Sequence, residues 1–254
     1  MSAVSYFVSF KALLKKELQL LWLTPLAWVL LFAFLLLQGI SFFLVLDHYG
    51  KFGGGALEAG PVQGYYSSLF VPVALLLLCP ALSMRSFAEE RRAGTLETLL
   101  TLPLSTVVLV LTKFLALLIT YFAMWLPTLL YVAILRDTGV VDWGTVASSY
   151  LGLLLLGASY LAVGVLASAL TRSQLVAMLV SVTVLFGLFI LGIGEQVFDP
   201  GPLLELCRHV SVLSHLDEFS KGIIDLRRIA FNVSLTTFSL FCAVRVVDVE
   251  RGAA

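Results

Sequence analysis

The stretch RSFAEERRAGTLETLLTLPLS, residues 85–105, is a polar island between two long apolar runs. Ser86 and Glu89 have the S-x-x-E spacing of a capping box, which predicts a helix start there. Glu89, Glu90, Arg91 and Arg92 then fill roughly one helical turn with charge. Gly94 is suited to end that turn in a left-handed conformation. Thr95 is placed to cap a second short helix over 96–100, and Pro103 stops it. The expected result is a compact helical elbow at the ends of two membrane spans. A charge run alone reads as a solvated turn marking the membrane boundary. Gly94, Thr95, Leu96, Glu97 and Pro103 in register favour a docking surface for a partner outside the bilayer.

Working outward, the chain of 254 residues is 60% hydrophobic and 13% charged. Soluble domains carry nearer ~25% charge, and several apolar stretches reach the ~20 residues that span a bilayer as a helix. The fold class expected is therefore all-α: a polytopic membrane protein of six spans, near 26–46, 69–84, 106–135, 144–170, 175–193 and 229–247. The whole chain, 1–254, reads as one transmembrane domain, with nothing of soluble-domain size outside the spans. Formal net charge is zero and no basic stripe appears, so no nucleic-acid partner is expected. Cys79 and Cys242 fall in spans and Cys207 alone on a loop, which leaves no expected disulfide.

No cleavable signal peptide is evident. Segment 5–22 instead reads as an amphipathic helix lying in the membrane interface. Phe7, Phe10, Leu13, Leu14, Leu18 and Leu21 recur on one side, and Lys11, Lys15 and Lys16 turn toward headgroups. Thr24-Pro25 then turns the chain into the bilayer. Six spans put both termini on one side, and the basic residues of the short loops make that side, with the elbow, cytoplasmic. The outer loop 47–64 is rich in glycine and expected to be mobile, with Tyr65 and Tyr66 extending the second span as an aromatic belt. The link 171–174 reads as a tight hairpin. The fourth span carries Gly152, Gly157, Ala158, Ala162, Gly164, Ala167 and Ser168, small residues that let helices approach closely.

Region 194–228 is too polar to span and too apolar for a free loop, so a pair of short re-entrant helices in the outer leaflet is expected. Asp217 and Lys221 are spaced to pair at i,i+4. Arg227 and Arg228, at the outer mouth of the sixth span, run against the charge rule and require carboxylates or headgroups to hold them. Asp217, Glu218, Lys221, Arg227 and Arg228 form a candidate outer gate.

There is no G-x-x-x-x-G-K-[ST] loop, H-E-x-x-H, G-x-S-x-G or paired C-x-x-C, so the chain is expected to have no ATP site of its own and to catalyse no covalent chemistry. His209, His215 and Asp217 match no metal-ligand spacing, and the sequon at Asn232 lies in a span. Lys113 and Arg245 are close enough to the cytoplasmic ends to snorkel. Without intramembrane carboxylates an ion-coupled carrier is disfavoured, and the energy source lies outside this chain.

The segment FAEERRAGTLETLLTLPLS resembles the signature of ABC-2 type transporter permeases, and the likeness runs along nearly the whole chain. The stretch SHLDEFSKGIIDLRRIAF, 214–231, is more weakly similar to the gliding-motility-associated permease subgroup. The resemblance implies an interfacial connecting helix on 10–21, a coupling helix between spans two and three, and re-entrant helices before span six. It implies that Phe87, Glu89, Glu90, Arg91, Arg92, Gly94, Thr95, Leu96 and Glu97 meet a separate ABC ATP-binding subunit, with a second contact at 171–174 through Arg172. It further implies two copies of that subunit holding ATP and Mg, a second permease chain, identical or not, and a bacterial inner membrane. The function implied is the permease of an ATP-driven transporter, expected to be an exporter, and apolar pathway walls would suit lipid-like or amphipathic substrates. An ATPase-docked scaffold that moves no solute is the alternative. An intramembrane enzyme lacks the polar residues it needs.

Overall fold

The computed structural model describes residues 3–52, 60–96, 105–138, 142–198 and 201–253. Backbone groups in lipid must bond internally, and the described residues are accordingly helical throughout, without strands. In chain order the helices are α1 (Ala3–Leu23), α2 (Pro25–Phe52), α3 (Pro61–Tyr66), α4 (Phe70–Ser83), α5 (Ala88–Ala93) and α6 (Thr106–Trp125). A 3-10 turn, Leu126–Thr128, leads into α7 (Leu129–Thr138), followed by α8 (Trp143–Leu170) and α9 (Gln174–Ile193). A second 3-10 turn, Gly194–Gln196, precedes α10 (Pro202–Val210), α11 (Val212–Ser220) and α12 (Leu226–Ala253). Among the described residues, six helical stretches are long and apolar enough to cross a membrane, and they match the six expected spans.

Local chemistry sets the boundaries. Pro25 opens α2 immediately after Thr24, and Trp28 Nε1 donates to Trp22 O at 3.0 Å across the corner. Ser105 and Asp142 cap α6 and α8 by accepting from Val108 N and Gly144 N. Pro127, which has no N–H to give, coincides with the 3-10 turn that interrupts the third span.

The 28-residue helix α8 is the axis of the bundle, in contact with α4, α6, α9, α11 and α12. Its small residues let neighbours in. A Cβ at Gly152 would lie 2.7 Å from the Phe219 ring, one at Gly157 2.2 Å from Tyr121 Cζ, and one at Gly164 1.8 Å from Ser83 Oγ. The outer helices α2, α9 and α12 instead turn Phe32, Leu179 and Phe238 outward, each about two-thirds exposed or more. Such faces suit lipid or another apolar partner.

Three expectations are corrected. The first outer loop is shorter than 47–64, because α2 continues to Phe52 and α3 begins at Pro61; residues 53–59 lie outside the described set. Tyr65 and Tyr66 form no belt. Both are 1% exposed, within an aromatic cluster of Phe42, Tyr131 and Tyr150, where Tyr65 Oη donates to the buried Gln38 Oε1 at 3.1 Å. Burying two phenols against rings and an amide outweighs their preference for the interface. Cys207 lies buried in α10 instead of on a loop.

Candidate functional site: the elbow between the second and third spans

The helix α5 carries Glu89 and Glu90 in its first turn and Arg91 and Arg92 in its last, the order that suits the helix dipole. Gly94 adopts φ +68° and returns its N–H to the carbonyls of Glu90 and Arg91, as expected of a left-handed stop. The start differs from the capping-box expectation. The N-cap is Phe87, no side chain of this segment caps it, and Ser86 plays no such part. The cap comes from α8: Ser168 Oγ accepts from Phe87 N at 3.0 Å and Ala88 N at 3.1 Å, and donates to Met84 O at 3.0 Å. Thr95 begins a further helical turn and bonds back through Oγ1 to Glu90 O at 3.4 Å. Glu97 and the rest of that segment, through 104, lie outside the described residues.

Lys113 does not snorkel. It is 3% exposed, with Nζ 2.8 Å from Glu90 Oε1, 3.0 Å from Glu17 Oε1 and 5.3 Å from the centre of the Phe87 ring. Two carboxylates and an aromatic face compensate the cation more fully than a solvent route would. The triad ties α1, α5 and α6 together. On the other side of α5, Arg91 donates to the carbonyls of Thr171 (3.0 Å) and Ala169 and to Glu250 Oε2 (2.7 Å), binding α5 to the end of α8 and to α12.

The candidate docking residues therefore divide. Phe87, Glu90, Arg91 and Leu96 point inward and fasten the elbow. Glu89, Arg92, Gly94 and Thr95 are exposed, as is Arg172 in the hairpin that also receives Arg91. On α1, Lys11, Lys15 and Lys16 are exposed, while Leu13 and Glu17 face the bundle.

At the opposite end, α10 and α11 form the expected pair of short helices. Asp217 and Lys221 pair at 2.5 Å on the surface. Arg228, 5% exposed, is held by both Glu218 oxygens at 2.9 Å and by Arg208 O, while Arg227 stays exposed. The Arg228 guanidinium beside Glu218 holds its carboxyl below the usual range. Behind this pair lies a network that spacing alone does not reveal. His215 Nε2 donates to His209 O at 3.1 Å, and its Nδ1 lies 3.4 Å from Asn232 Nδ2. Asn232 donates to Arg228 O at 2.9 Å and accepts from Ser159 at 3.2 Å. That network assigns the neutral Nε2–H tautomer. Burial, and then Arg228, pull the His215 imidazole down to about 4. Among the described residues no cluster of His, Cys, Asp or Glu is arranged to hold a metal.

Among the described residues, six helices long and apolar enough to cross a membrane, joined by a short elbow between the second and third, are the architecture of a polytopic membrane domain. The profile described as ABC-2 family transporter protein matches residues 54–205, more than half of the 254-residue chain, and the chain belongs to that family. Members are multi-pass membrane components that work with an ABC ATP-binding subunit, and this chain is accordingly a transporter permease. No curated protein matches the chain.

Proposed function

We propose that this chain is one of two permease subunits of an ATP-driven exporter. Two ATP-binding subunits, which hold ATP and Mg, dock at the exposed side of α5 and at the 171–174 hairpin. Both termini and the elbow are then cytoplasmic, in the inner membrane of a bacterium, and α1 lies along the interface with its lysines toward headgroups. ATP-driven closure of the motor displaces α5 and biases the bundle between two states that differ in their contacts. The gate at the far end includes Arg228 with Glu218, Asp217 with Lys221, and Arg227. The likeness of 214–231 to the gliding-motility-associated permeases makes that subgroup the proposed nearest kin.

The observation that carries this reading is the two-sidedness of α5. Its outward side chains, Glu89 and Arg92, are left for a partner. Its inward ones, Glu90 and Arg91, reach α1, α6, α8 and α12. A push on such a helix is delivered to four others at once.

The test is affinity purification in mild detergent from native cells, with mass spectrometry and an ATPase assay, beside a Glu89→Lys/Arg92→Glu variant. Wild type should recover an ATP-binding subunit, and the variant should lose it while eluting as a folded protein. If wild type recovers none in several detergents, the motor-docked reading falls.

A further inference from the structure

The face of the elbow that meets α1 encloses a cavity of about 510 Å³, bounded by α1, α4, α5 and α6. That is within the ~300–1,000 Å³ range of small-molecule sites. Its walls are divided by chemistry. Leu20, Leu82 and Leu117 supply an apolar side. Lys16 and Arg85 line it with positive charge and Glu89 with negative charge. Lys113, Glu17 and Glu90 also reach the cavity, so its three cations and three carboxylates balance.

The charges are balanced but not all satisfied. Arg85 Nε stands 3.8 Å from Glu89 Oε2, beyond hydrogen-bond reach, and has no other partner among the described residues. Glu90 spends Oε1 on Lys113, while its Oε2 is buried with no partner among the described residues. Glu89, paired with Arg85 only at that distance, is 53% exposed. The cavity thus offers cationic donors and anionic acceptors side by side, above an apolar wall that ends at the half-exposed Leu20.

The geometry points to a binding site for an ethanolamine phospholipid on the α1 side of the docking elbow, sharing the two-oxygen carboxylate of Glu89 with the docking surface and separate from any transport pathway. The lipid phosphate accepts from Arg85 and Lys16. Its ammonium donates to Glu89, and its charge offsets the unshared Glu90 oxygen behind. The glycerol and acyl chains lie along Leu21, with Leu82 and Leu117 buried behind, and leave past Leu20. Balanced lining charge disfavours a head group of net negative charge. A choline head group has no N–H to donate, so it gives up the hydrogen bond to Glu89 and leaves that carboxylate to water. The assignment does not rest on ATP-driven transport: lipid retention and recovery of the ATP-binding subunit are separate readouts and fail separately.

The test is native mass spectrometry of the full chain released from micelles containing equal amounts of ethanolamine, choline and glycerol phospholipids. Wild type should retain one ethanolamine phospholipid per chain, about two- to fivefold over the other two, the ratio given by one hydrogen bond to a half-exposed carboxylate. Arg85→Gln, which removes one of the two cations that meet the phosphate, and Leu20→Trp, which fills the mouth, should each reduce retention about tenfold. The soluble head group, phosphoethanolamine, added in place of lipid, should not be retained, since it leaves the leucine wall unfilled. Equal retention of the three lipids, retention unchanged in both variants, or retention of phosphoethanolamine as strong as that of the lipid would each overturn the assignment.

Discussion

Ser168, near the end of α8, caps a helix that begins 81 residues earlier at Phe87: its Oγ receives the Phe87 N–H at 3.0 Å. The same oxygen receives Ala88 N and gives its own proton to Met84 O, so the hydroxyl is fully used. Ser168→Ala leaves two buried donors and one carbonyl without partners. The expected cost is ~1–2 kcal/mol. It should appear as a lower melting temperature in detergent and as faster amide exchange over 88–93. Unchanged exchange there would show that the cap is dispensable.

Lys113 is the shared partner of Glu17 and Glu90. Lys113→Met strands two buried carboxylates and should cost ~3–5 kcal/mol, whereas removing all three charges with Glu17→Gln and Glu90→Gln should restore most of it. Denaturation midpoints of the single and triple variants measure this. A triple variant as unstable as the single would mean that the charges hold the elbow by more than mutual compensation.

His215 should make the end of the bundle opposite the elbow acid-sensitive. Its folded value of about 4 lies below the ordinary 6.5, with Arg228, Glu218, His209 and Asn232 facing it. Below 6.5 the opened state takes up a proton that the folded state refuses. Stability is therefore full above 6.5 and is lost as pH falls through 4, to a limit of about 3 kcal/mol at ~1.4 kcal/mol per pH step. Melting temperature against pH should decline over that window in wild type and flatten in His215→Gln. Parallel curves would remove His215 as the cause.

Gly157 and Gly187 should answer oppositely to the same change. A methyl at Gly157 would sit 2.2 Å from Tyr121 Cζ, and that ring is buried with its hydroxyl donated to Leu153 O at 2.8 Å. Gly157→Ala should therefore cost ~1–3 kcal/mol. At Gly187 nothing lies within 4 Å, and Gly187→Ala should melt within about 1 kcal/mol of wild type. Thermal unfolding of both, in one detergent, makes the comparison.

What was legible in the sequence is what depends on neighbours along the chain. The spans follow from apolar length, the stop at Gly94 from its residue type, and the Asp217–Lys221 pair from a spacing of four. The two short helices over 202–220 follow from mixed polarity in one segment. What was hidden depends on distant partners. Lys113 and Glu17 are 96 residues apart, and nothing in either local pattern marks them as a pair. The capping box at Ser86 had the right spacing, yet a serine from another helix occupies the cap. Asn232 and Ser159, two polar residues in apolar helices, were the signal for the His215 network. Read singly, neither residue type marks a network.

Arg91 reaches Glu250, 159 residues on, while its neighbour Glu90 reaches, through Lys113, back to Glu17. Adjacent positions of one short helix are thus tied to α1 and to α12. During synthesis the first tie can form once the third span has been made, but the second must wait for the final turns of α12. The elbow is therefore fastened in two stages, and a product that stops short of Glu250 would present it held on one side only.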